Sequence, residues 1–385
     1  MKLKKWIRIA AGVLAAAVFS AIWSRPASAE ENLAASAHSA CMLDISTNQI
    51  MYEKNAREKM SMASTTKIMT ALLAVESGRL DELVTVPPEA PYVEGSSLYL
   101  KAGEQIYLSE LTAGMMLNSG NDAAYTIAVF LGGSIEEFAR QMTEKAREIG
   151  AADTTFKNPH GLSEQGHETT AYDLALISSY AMKNETFRDI VSRKSQKSSI
   201  YPDARDLYFQ NHNKLLSMYE FAIGVKTGFT KEAGRCLVGA AEKEGLSVVT
   251  VTLGAPDDWN DHIRMFQYAF EHYERRCLVP GGTFFKTVAV RNGELARLRL
   301  FTQEDLYYTV KKGEDSPISV AYHVPESIEA PVRIGDPIGS INVLWGEQVV
   351  GSLDLTAEKA IVRVEPVTFQ KIMKKFIENW LLFPE

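Results

Sequence analysis

Apolar positions in this chain recur with two periods, and it divides where one period gives way to the other. Ile68, Met69, Leu72, Leu73 and Val75 return at helical spacing and stop at Gly78, which reads as an amphipathic helix closed by a glycine. Ahead of it, residues 40–45 and 49–52 alternate as a hairpin turning at Ser46-Thr47-Asn48. Pro87, Pro88 and Pro91 mark an irregular stretch over residues 84–105. Further helices are expected over residues 109–117 with Ser109 as cap, over 122–133, over 135–149 and over 172–182. Asn118-Ser119-Gly120-Asn121 and Asn158-Pro159-His160-Gly161-Leu162 interrupt them as turns.

After residue 220 the texture changes. Residues 221–229, 235–241 and 247–253 read as three strands, and 257–276 as a long helix with Trp259, Ile263, Phe266, Phe270 and Tyr273 on one side. Helices bracketed by strands from both ends of the sequence imply an α+β domain, one antiparallel sheet covered by helices. Pro280-Gly281-Gly282 marks a boundary, after which residues 284–364 look all-β. Ala296, Leu298 and Leu300 alternate there with Arg297 and Arg299, and Asn292-Gly293 signals a hairpin. This reads as a small β-sandwich of about 85 residues. At the end, Phe369, Ile372, Met373, Phe376, Ile377, Trp380 and Phe383 recur at helical spacing, with Lys371, Lys374 and Lys375 at other positions. A terminal helix that is amphipathic, basic and aromatic suits a membrane surface, in preference to packing on its own domain.

The N-terminus has a separate logic. Lys2, Lys4, Lys5 and Arg8 precede an apolar run over residues 9–23, followed by the small-x-small triplet Ala27-Ser28-Ala29. That is the pattern of a secretory signal peptide, with the mature chain starting near Glu30. Its loss takes the net charge from −7 to −12, and an acidic mature chain argues against nucleic acid as partner. Cys41, Cys236 and Cys277 are an odd number, so a complete disulfide framework is excluded and one pair stays open. The seven histidines show no metal-type spacing, and no glycine-rich phosphate loop appears.

Candidate chemistry centres on Ser64-Thr65-Thr66-Lys67. A serine at the head of a helix and a lysine three residues on share one face. A neutral amine there can take the proton that makes a hydroxyl a weak nucleophile. Ser-x-x-Lys arises by chance about once in a chain this long, and serine also favours helix N-caps for its own reasons. Two later motifs raise the weight of this one. Ser119-Gly120-Asn121 lies in a tight turn between helices, and Lys226-Thr227-Gly228 lies on a strand beside a glycine that leaves room for a ligand. Ser-x-x-Lys, Ser-x-Asn and Lys-Thr-Gly in that order, on helix, turn and strand, form a specific set.

With these phrases the sequence resembles the penicillin-binding, active-site serine acyltransferases. Residues 63–70, 119–124, 158–162 and 225–228 narrow the resemblance to the low-molecular-mass D-alanyl-D-alanine carboxypeptidases of the peptidase S11 family. Residues 256–262 resemble those of spore-forming bacteria. The resemblance implies a β-lactamase/transpeptidase-like domain followed by a β-sandwich and an amphipathic anchor. The expected divisions are a signal peptide (1–29), a D,D-peptidase domain (30–277), a β-sandwich (278–366) and a membrane-anchor helix (367–385). It implies an exported enzyme at the outer face of the cytoplasmic membrane and cell wall, acting on peptidoglycan stem peptides that end in D-Ala-D-Ala. β-Lactams would be covalent inhibitors, and no metal or cofactor would be needed.

The resemblance also assigns roles. Ser64 would attack the carbonyl of the penultimate D-alanine, and Lys67 would take the Ser64 proton. Lys226 would help keep Lys67 neutral. Ser119 would pass a proton to the leaving D-alanine, and Asn121 would hold the substrate amide. Lys226, Thr227 and the neighbouring Gly228 would form the carboxylate subsite, and the backbone amides of Ser64 and Phe229 the oxyanion hole. In one respect the chain departs from the pattern. Where some relatives carry an arginine that assists the carboxylate, it reads Asp257-Asp258-Trp259-Asn260-Asp261-His262, with Arg264 further along. A β-lactamase of the same fold class would need a carboxylate, usually in a Glu-x-x-Leu-Asn phrase, and Glu164 and Glu168 stand in a different setting. The same motifs would also suit an endopeptidase acting on peptide crosslinks or, with the chemistry lost, an inactive wall-binding scaffold.

Overall fold

The computed structural model describes residues 32–201, 205–364 and 369–380. Its first unit is built on a five-stranded antiparallel sheet. Strands β1 (Ser39–Asp44) and β2 (Ile50–Lys54) come from the start of the chain, and β3 (Ala222–Thr230), β4 (Gly234–Lys243) and β5 (Leu246–Leu253) from after residue 221. The order is β2-β1-β5-β4-β3, so the two ends of the sequence meet where β1 pairs with β5. Five of the eight residues of β5 are valine or threonine, side chains that suit a pleated, buried surface. Glu244 and Gly245 both take positive φ, 52° and 80°, as a tight turn with strand-matched twist demands. That leaves β3 as an edge strand beside the helices.

On one face lie α1 (Lys67–Glu76), α2 (Leu108–Asn118), α3 (Asn121–Gly132), α4 (Ile135–Ile149), α5 (Ala171–Met182) and α6 (Glu185–Ser192). The 15-residue α4 spans the expected residues 135–149 and is closed at both ends. The Ser134 hydroxyl accepts from the Glu137 N–H, and Gly150 closes the helix at φ 98°. The other face is covered by the one-turn helix α7 (Leu215–Met218) and by α8 (Asp258–His272), which packs Met265, Phe266 and Ala269 onto Leu237 and Val248. Helix α1 differs from its amphipathic reading. Lys67 through Leu72 are all buried, because α2, α3 and α5 enclose it. It is the central helix of the domain, which holds a lysine in its first turn out of water.

Three boundaries depart from expectation. The cap of α2 is Tyr107, and Ser109 lies inside the helix with its N–H given to the Leu80 carbonyl. Helix α6 and the hairpin of Ser195–Ile200 with Arg205–Gln210 occupy a stretch where no element was expected. Helix α8 stops at His272, and β6 (Tyr273–Val279) pairs with a strand of the second unit, ahead of the boundary expected at residue 277.

That second unit is all-β. Strands β7 (Phe284–Arg291), β8 (Arg297–Thr302), β9 (Leu306–Lys311), β10 (Ile318–His323), β11 (Ser327–Glu329), β12 (Pro337–Trp345) and β13 (Gln348–Ala357) follow β6. Six of them form a sheet in the order β10-β12-β13-β8-β7-β11, and β6 pairs with β9. Both sheets bury side chains in one core, with Leu278 and Val310 against Leu298, Leu300 and Ile341. The Thr309 hydroxyl donates to buried Asp44, tying this unit to β1. The final helix α9 (Phe369–Trp380) falls within the expected anchor; the expected signal peptide, residues 1–29, lies outside the described residues. Cys41, Cys236 and Cys277 are all free, the first two buried.

Candidate active site

Ser64 sits in a tight 3₁₀ turn, Ala63–Thr66, that runs directly into α1. Three features hold the turn. The Thr65 hydroxyl donates to the Met62 carbonyl at 2.6 Å, and the Thr66 hydroxyl to the Ala63 carbonyl at 2.9 Å. His167 supports the second of these. The Lys157 N–H donates to its Nδ1 at 3.0 Å, which leaves the ring proton on Nε2, 2.8 Å from Thr66 Oγ1. Burial, then Lys157 and Lys67, hold this imidazole down at about 4, so it stays neutral. Ala63 itself takes φ 47°, a conformation that needs such support. Two glycines let neighbouring chain come close. A Cβ on Gly161, at φ 89°, would fall 1.9 Å from the Ala63 carbonyl oxygen, and one on Gly228 would fall 3.1 Å from the Ser64 nitrogen.

The Lys67 amine has three polar neighbours: Ser64 Oγ at 2.8 Å, Asn121 Oδ1 at 2.7 Å and the His160 carbonyl at 2.6 Å. Two of them can only accept. A carbonyl has no proton, and Asn121 is oriented by its nitrogen, which donates to the Glu94 carbonyl at 2.6 Å. A neutral amine has two N–H bonds for those two acceptors, and its lone pair then faces the Ser64 hydroxyl. Burial pushes the Lys67 pKa well below the ordinary lysine value, the nearby Lys226 lowers it further, and Asp122 opposes them. Lys226 is also buried, and desolvation brings it to about 7. Its Nζ donates to the Thr227 carbonyl at 3.0 Å.

Ser119 ends α2 at φ 63°, which turns the chain sharply and brings Ser119 into the wall of the cleft. Asp122, fully buried in the first turn of α3, accepts the N–H groups of Leu98 at 3.0 Å and Leu100 at 3.1 Å and the Ser97 hydroxyl at 2.7 Å. It thereby fixes the loop that offers the Glu94 carbonyl to Asn121. Lys67 engages the Asn121 oxygen and the Glu94 carbonyl takes one of its two N–H groups, which leaves the second N–H as a donor for a substrate.

Ser64, Ser96, Ser119, Thr227, Gly228 and Phe229 line one cleft of about 380 Å³, with Lys67 and Lys226 buried beneath it. A larger hollow of about 790 Å³ lies between the two units and holds none of these residues. Three contributions were not visible in sequence. The Asn158–Leu162 turn presents a backbone oxygen to Lys67, braced by the Thr70 hydroxyl on the Pro159 carbonyl at 2.6 Å. Glu94 acts through its backbone too. The third is Arg235, which lines the cleft paired with buried Asp258. Arg264 is elsewhere, bonded to Asp261 and the Leu33 carbonyl. Glu164 accepts from Asn158, and Glu168 pairs with Lys59 at 3.1 Å.

This arrangement of serine, buried lysine pair and edge strand can be compared with known proteins. Residues 26–257 match the D-alanyl-D-alanine carboxypeptidase family, peptidase S11, and residues 273–363 match the C-terminal domain of penicillin-binding protein 5. The chain belongs to the peptidase S11 family of D-alanyl-D-alanine carboxypeptidases. The carboxypeptidase DacF of Bacillus subtilis is 32% identical over 367 residues, covering 91% of this chain and 92% of its own length. DacC of Escherichia coli is 30% identical over 78% of each chain. Among solved structures, the Streptomyces K15 DD-transpeptidase is 32% identical with a TM-score of 0.59, covering 61% of this chain and 97% of its own. PBP3 of Streptococcus pneumoniae, at 24% identity, shares the fold with a TM-score of 0.74 over 85% of this chain and 99% of its own. The expected α+β unit followed by an all-β unit is thus borne out in this chain, each unit with its own family match.

Proposed function

We propose that this S11 carboxypeptidase removes the terminal D-alanine of peptidoglycan stem peptides through an acyl-enzyme on Ser64. The observation that carries this is the Lys67 amine, whose two fixed acceptors leave its lone pair for the Ser64 hydroxyl. Lys67 takes the Ser64 proton as Oγ bonds to the carbonyl carbon of the penultimate D-alanine. The developing oxyanion is held by the backbone amides of Ser64 and Phe229. The C–N bond then breaks, and Ser119 passes the proton to the departing D-alanine. Water then attacks the ester carbonyl, Lys67 takes its proton, and as the C–Oγ bond breaks Lys67 returns that proton to Ser64 Oγ, releasing the shortened peptide. Asn121 positions Lys67 and the substrate amide, and Lys226 and Thr227, beside Gly228, receive the terminal carboxylate.

The chain acts on the cell wall, and we infer that it is exported by residues 1–29 and held to the membrane surface by residues 367–385. Exposed Phe369, Ile372, Phe376 and Ile377 on α9 support the second inference. Among the described residues no helix is long and apolar enough to cross a membrane.

The deciding experiment is intact mass of the mature protein after brief exposure to penicillin, with peptide mapping. A single, persistent penicilloyl adduct on Ser64 is expected. An adduct on another residue refutes the assignment, and rapid complete hydrolysis of the penicillin would return the β-lactamase reading.

A further inference from the structure

The hollow of about 790 Å³ between the two units lies away from the chemistry. On the first unit it is bounded by the turn at residues 46–50 that leads into β2, an outer strand of the five-stranded sheet. Ser64 sits against β3, at the opposite edge of that sheet. Four inter-strand steps put the two edges ~19 Å apart. The volume falls within the roughly 300–1,000 Å³ of ligand pockets, which favour the boundaries between domains.

The far side of the hollow comes from β6, β9 and β13. Arg275 pairs in register with Thr309, so Arg275, Thr309 and Tyr307 share one face of the β6–β9 pair. Thr309 donates to Asp44 of β1, so this face looks onto the first unit. Arg275 Cζ lies 3.9 Å from the centre of the Tyr307 ring, and the Tyr307 hydroxyl donates to Asp305 at 3.1 Å. The Gly281 N–H holds Asp305 in turn at 2.7 Å. These three side chains are therefore braced before any ligand arrives.

The hydrogen-bonding capacity around the hollow is largely unspent. Among the described residues, the Arg275 guanidinium and the side-chain amides of Gln49 and Gln348 have no hydrogen-bond partner. Ile50, 38% exposed, and Val349, 55% exposed, add apolar surface. Arg275 and Asp305 are the charged side chains of the lining among the described residues, and their charges cancel. This composition selects a class of ligand. An ion of either sign would meet a group of its own sign. A wholly apolar molecule would strip water from the guanidinium and amides without replacing its hydrogen bonds. A neutral ring with apolar C–H faces and a polar edge satisfies both kinds of surface. An acetamido group on that ring pairs reciprocally with a side-chain amide, since each offers N–H and C=O.

We propose that this hollow binds an N-acetylated amino-sugar segment of the cell-wall glycan, as a seat separate from the catalytic cleft. The proposal rests on the carboxypeptidase reading above and extends it from the stem peptide to the polymer that carries it. Holding the strand at one edge of the sheet raises the effective concentration of its stem peptides at the other. The seat therefore acts on polymeric substrate and leaves a free peptide unaffected.

The test is titration calorimetry of the mature protein with tetra-N-acetylchitotetraose, with maltotetraose as a control of equal length. The acetylated oligomer should bind at least about tenfold more tightly than the control, and Arg275→Ala and Gln348→Ala should each weaken it about tenfold, the scale of a lost polar contact. Both variants should release D-alanine from insoluble peptidoglycan about threefold or more slowly, as the local concentration of stems falls. Their kcat/KM on a soluble diacylated tripeptide and their acylation by benzylpenicillin should change less than about twofold, because the cleft is untouched. Absence of binding, equal binding of the two oligosaccharides, or displacement of the acetylated one by the sugar-free tripeptide would overturn the glycan assignment. A parallel loss on polymer and tripeptide would give these residues a structural role and overturn it as well. If the wild type releases D-alanine from no substrate, the carboxypeptidase reading fails, while the titration still decides whether the hollow holds an amino sugar.

Discussion

The amide oxygen of Asn121 lies 2.7 Å from the Lys67 amine and can only accept, because the amide nitrogen is committed to the Glu94 carbonyl. This makes the protonation state of Lys67 sensitive to one substitution. Asn121→Asp would place a carboxylate where a neutral acceptor stands, and a neighbouring negative charge favours the protonated amine. The Lys67 pKa rises, so the neutral base is present only at higher pH. The acid limb of the kcat/KM profile should move upward by about 1 to 3 pH units, with activity at pH 7 reduced accordingly. A profile that keeps its position while losing height would mean that Asn121 serves the substrate and leaves the base untouched.

Lys226 carries a stability consequence with a definite sign. Burial brings its pKa to about 7, and among the described residues it has no ion-pair partner. An unfolded lysine titrates near 10.4. Below pH 7 both states hold the proton, and the folded chain bears the full cost of a buried charge. Between about 7 and about 10 the unfolded chain holds a proton that the folded chain has released, so stability contributed by this site rises with pH. Lys226→Met should therefore be more stable than the wild type at pH 6, and the gap should shrink steadily as pH is raised to 9. Urea unfolding of both proteins at several pH values measures it; a gap independent of pH would contradict the buried, uncompensated charge.

Gly161 and Ala63 make the tightest backbone approach in the site. A methyl group on Gly161 would meet the Ala63 carbonyl oxygen at 1.9 Å, and the residue also holds φ 89°. Gly161→Ala thus forces apart the turn that carries Ser64 and the loop that offers the His160 carbonyl to Lys67. The expected loss is more than about 2 kcal/mol of stability together with most of the acylation rate. Gly166→Ala is the control. Its φ is 79°, but its nearest neighbour is the flexible Lys157 side chain at 3.4 Å, so only the conformational cost of about 1 kcal/mol applies. Equal effects of the two substitutions on acylation would remove the special status of the 161–63 contact.

What the sequence revealed and what it hid follow one physical division. Ser64 with Lys67, Ser119 with Asn121, and Lys226 with Thr227 are each local in sequence, so their spacing alone places them on shared turns or strands. The groups that complete the site are non-local or belong to the backbone. Arg235 and Asp258 meet only because β4 begins beside the first turn of α8, and the oxygens of His160 and Glu94 have no side-chain signature. The fold divides in the same way. Strand β5 was legible from its valines and threonines, whereas the hairpin of Ser195–Ile200 buries just Ser198 and Ile200 of its first strand and leaves a weak alternation. Tyr273 continues the helical spacing of Phe266 and Phe270, yet its pairing with Lys311 makes it a strand residue. Tertiary pairing overrode the local period there.

The exposed face of α9 leads to the last prediction. Phe369 is 75% exposed, Phe376 65% and Ile372 52%, so the aromatic and aliphatic side of this helix is not spent on the β unit before it. Apolar side chains arrayed along a basic helix gain by entering the headgroup region of a bilayer, where burial is worth roughly 25 cal/mol per Å² and lysines meet anionic lipid. The mature protein should co-sediment with vesicles containing phosphatidylglycerol, and deletion of residues 367–385 should abolish this while sparing kcat/KM on a soluble peptide. Phe376→Glu in the full chain should weaken vesicle binding by about tenfold or more, because a carboxylate must then be desolvated or drawn out of the interface with its helix. If the shortened protein still sediments, attachment lies elsewhere, and the exposed face of α9 must be covered by a protein surface instead.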